Sequence, residues 1–458
     1  HKKIFIPRLR NQTDMPIHPI EFRYGSPEMK SIFQEEERLQ KLLDVEAALA
    51  RAHAKVGNIP DKDAGIISKK ASIKFVKLDR VKEIEKETKH DIMAVVRSLS
   101  EECGSSGKYV HLGATSYDIV DTANALQFKE ALAIIEKDLG DLKKILLHLA
   151  KKHIKTVAVG RTHGQHAIPI TYGLRFSIWA MEVGRHIERV NEAKKRVLVG
   201  KMSGAVGTQA SFGKKGIRIQ KFVMKDLGIA PAEVSSQIVQ RDRYAELISL
   251  LALIAATLDK IGKEIRNLSR TEISEVSEKF EEKKQVGSST MPHKRNPINT
   301  ENICGLSRVI KSNVFVALEN VSLEHERDLT NSSSERVIIS ESFVLLDEIL
   351  KRTKRVIKSL VLHPENIAKN LEMTGGLQMA EAVMMGLAKK GMGRQEAHEL
   401  LRKLSIKAFK SKRPLKEVLN KSTEVRAYLT ESEIERLMEP ANYIGTAVEQ
   451  VKNVLAKR

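Results

Sequence analysis

The sequence predicts an all-α protein organised around a bundle of long helices. Three observations support this. Ala, Leu, Glu, Lys and Ile recur in long blocks at helical spacing. Alternation of the strand type is nearly absent. Only 12 prolines and 26 glycines interrupt the 458 residues. A chain of that length suggests two to four domains and can bury a core without disulfides or metals. Hydrophobic residues make up 41% and charged residues 30%, the balance of a soluble globular protein.

Each helix can be placed in turn. Residues 1–14 read as an N-terminal extension ahead of a plausible start at Met15. Ser26-Pro27-Glu28 reads as an N-cap, a first-turn proline and an early acid. A helix is expected over 31–56, stopped by Gly57, and a second from 78 into the early hundreds. These form an N-terminal helical domain over 15–114. Five long blocks follow, at 116–153, 171–197, 242–278, 298–324 and 335–360. The first runs to about 38 residues, or ~57 Å at 1.5 Å per residue. Helices that long need neighbours along their length, so a central five-helix bundle domain is expected over 115–362. The stretch 247–258 is apolar on several faces, which predicts burial between subunits. After Leu362-His363-Pro364 the blocks shorten, giving a small C-terminal helical domain over 363–458.

Charge and composition exclude several functions. Lys plus Arg is 78 and Asp plus Glu 58, a net charge of +20. The charges alternate in sign along most helices, and 4% aromatic content leaves few stacking platforms. A solvated lysine-rich surface is therefore favoured over a nucleic-acid partner, and a small anionic substrate is compatible with it. Cys103 and Cys304 form no CxxC pair, which argues against zinc ribbons and disulfide scaffolds and suits a reducing cytoplasm. No apolar run reaches the roughly 18 residues of a membrane span. His163 and His166 lack a third ligand or an HExxH pattern, so no metal is expected. Gly207 lies one residue too far from Gly213-Lys214 for a P-loop, and Lys215 replaces the hydroxyl residue. Ser203-Gly204-Ala205-Val206-Gly207 reads instead as a glycine loop that lets backbone approach a ligand. No cofactor is expected.

Segments rich in Gly, Ser, His and Asn lie between the long helices, where function concentrates. The most informative is Gly287-Ser288-Ser289-Thr290-Met291-Pro292-His293-Lys294-Arg295-Asn296-Pro297. Two serines on a glycine hinge suit a movable lid carrying a nucleophile or base. Lys294 and Asn296 beside a helix start suit a carboxylate.

Ser-Ser-x-Met-Pro-x-Lys-x-Asn-Pro resembles the signature of the fumarase/aspartase superfamily, whose members eliminate an amine or hydroxide from a succinyl group. Gly160-Arg161-Thr162-His163-Gly164-Gln165-His166-Ala167 narrows the resemblance to the adenylosuccinate lyase family. So do Arg23-Tyr24, Lys89-His90-Asp91, His111 with Thr115-Ser116, Gln237 ahead of Gln240-Arg241-Asp242-Arg243, and Arg327 with Ser332 and Arg336. Lys89 stands where that family more often has arginine, keeping the charge without the fork geometry. The resemblance spans Met15 to the C-terminus. It implies a three-domain all-α fold and release of fumarate from adenylosuccinate, giving AMP, and from succinylaminoimidazolecarboxamide ribotide in purine biosynthesis. It implies Ser288 as general base, His163 as general acid and Glu301 as the partner of that histidine. Substrate contacts are implied for Arg23, Tyr24, His90, Asp91, His111, Thr115, Ser116, Gln237, Ser289, Lys294, Asn296, Arg327, Ser332 and Arg336. It also implies a homotetramer whose sites draw on three subunits. The alternatives are a 3-carboxymuconate cycloisomerase, which generally lacks the Gly-Arg-Thr-His histidine and the early Arg-Tyr, and a non-catalytic helical scaffold.

Overall fold

The computed structural model describes residues 17–279, 290–291 and 293–457. The 1–14 extension, Ser288 and Ser289 lie outside the described residues. The all-α class holds. In chain order come α1 Pro19–Phe22, α2 Pro27–Phe33, α3 Glu35–Lys55, α4 Asp61–Lys70, α5 Leu78–Thr88, α6 Asp91–Cys103 and α7 Ser116–Lys152. Then follow α8 Tyr172–Val197, α9 Gly216–Leu227, α10 Asp242–Leu268, α11 Ile298–Glu319 and α12 Thr330–Lys358. Shorter helices begin with α13 Pro364–Glu372, α14 Ala380–Lys389, α15 Arg394–Ser411 and α16 Leu415–Asn420.

The helix starts follow the local chemistry. Ser26 caps α2 by accepting from the Met29 N–H, and Pro27 fills the first turn. Two expected helices are in fact pairs. Gln34, at ψ 151°, separates α2 from α3. Lys89, at φ 53°, ends α5, and His90 caps α6 through its own ring. The block expected to reach 278 stops at Leu268. The sequence reading also missed a hairpin. Strands β1 Val157–Thr162 and β2 Gln165–Thr171 pair antiparallel, with a register shift between Val159 and Arg161. Gly160 and Pro169 disrupt the alternation that would have announced them.

The chain divides into two compact units, and each of the five long helices contributes to both. Unit 1 comprises residues 1–138, 186–258 and 305–351. Its core joins Leu39, Leu43 and Leu49 of α3 to Ile67, Ile84, Ile92, Leu99, Ile119 and Val223. Phe128 lies 5.2 Å edge-on to Tyr244 and 6.1 Å from Phe343. Most of 247–258 is already buried within the chain, and Leu253 is the large side chain of that stretch left 46% exposed. The expectation that a second subunit must cover this stretch is therefore corrected. Unit 2 comprises residues 139–185, 259–304 and 352–458. It contains the hairpin and a separate apolar cluster built on Val383, Leu387, Leu401, Leu415 and Ile434.

One ion cluster ties the helices of unit 1 together. The guanidinium of Arg241, fully buried just before α10, donates to both oxygens of Asp121 on α7 at 2.9 Å. It also donates to both oxygens of Glu335 on α12, at 2.7 and 3.1 Å. Removing one member of a buried ion pair leaves the other charges stranded and costs roughly 3–5 kcal/mol. Arg241→Met is thus expected to lower stability by about that much, read as a lower urea midpoint. A change of a few tenths of a kcal/mol would show that the cluster is not structural.

Candidate active site

Unit 1 contains a cavity of about 730 Å³, within the range of small-ligand sites. Of the sequence-predicted residues, His90, Asp91, Ser116, Arg327, Ser332 and Arg336 line it. They arrive from the start of α6, the start of α7, the turn before α12 and the first turns of α12.

Arg327 is held flat. Its guanidinium carbon sits 3.6 Å from the centre of the Tyr117 ring. One terminal nitrogen donates to Gln237 Oε1 at 3.0 Å, while Nε and the other terminal nitrogen are buried with no hydrogen-bond partner among the described residues. Gln237 is anchored in turn by donating to the Ala205 carbonyl at 2.9 Å. Arg336 pairs with Asp91 at 2.7 Å. Burial opposes the charged form of Asp91, but the Ile92 N–H and Arg336 outweigh it and hold the carboxyl below its usual range. His90 is committed to its cap, accepting from the Met93 N–H at 3.3 Å. Glu35, Glu85 and Glu335 also line the cavity. Glu35 pairs with Lys82 at 2.5 Å and Glu335 with Arg241, so much of the acidity is neutralised.

His111 and Thr115 stand on the approach to α7. His111 adopts a left-handed φ of 62°. Its Nδ1 meets Glu46 Oε1 at 2.6 Å, and its backbone N–H donates to the other oxygen at 3.1 Å. Burial pushes the imidazole pKa down, but the charge and hydrogen bond of buried Glu46 reverse this and hold it above the usual value. The side chains of Thr115 and Ser116 make no hydrogen bond among the described residues, so neither caps α7. Asp118 closes that end, accepting from the Thr115 N–H at 2.9 Å. Asp118 also pairs with buried Lys201 at 2.5 Å and accepts from the Ser203 and Gly204 N–H groups. In the 203–207 loop, expected to let backbone approach a ligand, the Ser203 and Gly204 N–H groups are thus engaged by Asp118. Gly207, at φ 95°, passes so close that an added Cβ would lie 2.1 Å from the Ser235 carbonyl oxygen. Arg23 and Tyr24, after α1, do not line the cavity, and the Arg23 guanidinium carbon sits 5.8 Å from the Tyr24 ring centre.

His163, Lys294, Asn296 and Glu301 belong to unit 2. His163 is exposed at the hairpin turn with φ 53°, followed by Gly164 at φ 73°. The hairpin is braced by Glu275, which is fully buried. Arg161 donates to it at 2.6 Å, Tyr172 at 2.7 Å and Asn370 at 3.0 Å. Burial works against the charged carboxylate, but these donors win and hold its pKa low. Burial and the charge of Arg161 together push the pKa of His166 down. Lys294 is exposed and Asn296 half-buried just ahead of α11, and Glu301 is exposed in its first turn. His163 and Glu301 do not pair with each other among the described residues. No cluster of three or more metal-ligating side chains occurs among the described residues, and no helix there is long and apolar enough to cross a membrane.

Sequence reasoning missed Tyr117, Glu46, Asp118 and Glu275, which hold the predicted residues in place. Tyr117 and Asp118 close the His111–Asp118 segment that carries the resemblance but were given no role, while Glu46 on α3 and Glu275 in the segment before Val276 lie in no motif.

A family model described as Lyase matches residues 21–311, and one described as Adenylosuccinate lyase C-terminus matches residues 376–454. A solved structure of a fumarate lyase from Mesorhizobium sp. BNC1 superposes with a TM-score of 0.88 at 32% identity, covering 97% of this chain and 100% of its own. The 3-carboxy-cis,cis-muconate lactonizing enzyme from Pseudomonas putida gives 0.86 at 33% identity, covering 95% and 97%. The class is that of the fumarate-lyase-like enzymes. Adenylosuccinate lyase of Pyrococcus abyssi is 65% identical over 441 residues, covering 96% of this chain and 98% of the relative. That of Methanocaldococcus jannaschii is 54% identical over 98% of this chain and 97% of its own. The chain belongs to the adenylosuccinate lyase family.

The Glu46–His111 contact gives a pH-dependent expectation. The folded histidine has a raised pKa, so the stabilisation is complete below the unfolded value of 6.5 and is lost as pH rises through the folded value. Glu46→Gln is expected to cost about 1.5–3 kcal/mol at pH 5.5, where the hydrogen bond is to a charged group. The deficit should shrink at pH 9. Urea midpoints at the two pH values measure it, and an equal deficit at both would show that His111 is neutral when folded.

Proposed function

We propose that the chain splits adenylosuccinate into AMP and fumarate, and likewise cleaves succinylaminoimidazolecarboxamide ribotide, as a carbon–nitrogen lyase. The observation that supports this best is Arg327. It lines a nucleotide-sized cavity together with Arg336 and carries buried N–H donors without a partner among the described residues, in a chain whose relatives are named for this reaction. An arginine fork of this kind suits a phosphate. The muconate reading is less well supported, because the named adenylosuccinate lyases reach 54–65% identity against 33% for the muconate enzyme.

The reaction removes a weakly acidic proton from the carbon beside a carboxylate and breaks the bond to nitrogen. On the family resemblance Ser288 takes the proton and Ser289 contacts the substrate. The carbon–hydrogen electron pair forms the double bond of fumarate, and the carbon–nitrogen pair leaves with the amine. His163 protonates that nitrogen. Lys294 and Asn296 stabilise the charge that builds on the carboxylate. Arg23, Tyr24, His90, Asp91, His111, Thr115, Ser116, Gln237, Arg327, Ser332 and Arg336 bind the nucleotide, and Glu301 supports His163.

The assembly we propose is a homotetramer with shared sites, in an organisation of domains over 15–114, 115–362 and 363–458. Two features favour it. His163 and Glu301 are exposed and have no partner among the described residues. Phe315 and Leu318 of α11 are 69% and 55% exposed, large apolar surface for a free helix.

Adding adenylosuccinate should change the ultraviolet absorbance and release one fumarate per AMP, and absence of both products would end the reading. Ser288→Ala should lower kcat by at least about a hundredfold while AMP binding persists. If Ser289→Ala is the dead variant instead, the choice within the pair is wrong. Inactive His163→Gln and Ser288→Ala proteins, dissociated together and reassembled, should recover about a quarter of the activity, given symmetric interchangeable subunits. Subunit exchange without recovery would place both residues on one chain.

A further inference from the structure

Arg38 lies in the first turn of α3 and lines the same cavity as Arg327 and Arg336. No motif points to it, since one arginine among the charges of Glu35-Glu36-Glu37-Arg38 looks like an ordinary surface residue. Its surroundings are unusual. It is half-buried, and its side chain makes no hydrogen bond or ion pair among the described residues. Burial and the nearby positive charge of Arg336 both push its pKa down, only partly offset by Asp91, Tyr117 and Tyr244. A guanidinium does not shed its proton in a protein. The guanidinium therefore stays charged although burial disfavours the charge, and its five N–H donors have no acceptor among the described residues.

Three of the four acids lining the cavity are engaged elsewhere, Glu85 being the exception. Asp91 is held by Arg336, Glu335 by Arg241 and Glu35 by Lys82. A desolvated charge without a counter-charge is costly and is relieved when an anion arrives. We propose that Arg38 is a further substrate-binding residue, a third guanidinium that with Arg327 and Arg336 takes the phosphate of the nucleotide. This rests on the reading under Proposed function and extends its phosphate clamp from the start of α12 to a second helix, α3. The phosphate is preferred over the succinyl carboxylates because Arg327 and Arg336 share this wall, whereas Lys294 and Asn296 stand in unit 2.

The test uses the full-length protein and the variants Arg38→Met and Arg38→Lys. AMP, adenosine, inorganic phosphate and fumarate are titrated by calorimetry, and the ligand-free melting temperature is recorded. Arg38→Met is expected to weaken AMP by at least about tenfold, the loss of one charge-assisted contact, and leave adenosine within about twofold. Arg38→Lys should restore part of the AMP affinity. The ligand-free melting temperature of Arg38→Met should stay the same or rise, because an uncompensated charge has been removed. A lower melting temperature with AMP and adenosine weakened alike would make Arg38 structural and overturn the inference. So would unchanged AMP affinity, or a loss confined to fumarate. If the unaltered protein binds no AMP and releases no fumarate, the functional reading fails by itself. The Arg38 assignment then stands if inorganic phosphate binding is lost in Arg38→Met and falls if it is not.

Discussion

Arg241 is the fixed point of the cavity-bearing unit. Two carboxylates from different long helices, Asp121 of α7 and Glu335 of α12, converge on one buried guanidinium at the start of α10. Such an arrangement is not the most stable way to fill a core, since apolar side chains of similar volume often do as well. It does fix the relative register of these helices within unit 1. The Arg241 guanidinium carbon also sits 4.3 Å from the Tyr244 ring and 5.8 Å from the Tyr117 ring. Tyr117 in turn supports Arg327. The flat setting of Arg327 is thus inherited from an ion cluster that is itself buried.

The same cluster sets the sign of the cavity. Glu335 belongs to the cavity wall, yet Arg241 neutralises it from behind. Asp91 is neutralised by Arg336 and Glu35 by Lys82. What remains facing a ligand is mostly cationic. Such a site is organised before the substrate arrives, so little reorganisation is needed on binding. Asp118 does related work at the head of α7. Its oxygens collect the Lys201 ammonium and three backbone N–H groups, which leaves Thr115 and Ser116 uncommitted. In unit 2, Glu275 plays the equivalent part beneath the hairpin that presents His163.

Much of this was legible in the sequence, and the reasons differ by element. The five long helices were visible because helical periodicity accumulates over many turns. Their ends were less so. The breaks at Gln34 and at Lys89–His90 depend on single backbone conformations that no periodicity reports. The hairpin escaped because Gly160 and Pro169 blur a two-residue repeat, although its turn carries the most distinctive histidine of the chain. Site residues with a motif were found. Glu46, Glu275 and Arg38 had none, because a buried carboxylate or a lone helical arginine gains its meaning only from groups distant in sequence. The apolar stretch 247–258 misled for the same reason, since single-chain packing covers it without a neighbour.

The central claim is that this basic cavity receives the phosphate of a nucleotide. A crystal structure of the AMP complex tests it most directly. The account predicts the phosphate between Arg327 and Arg336, with Arg327 Nε or its free terminal nitrogen donating to it and the guanidinium still flat on Tyr117. A phosphate bound away from this cavity, with the Arg327 donors unchanged, would contradict it.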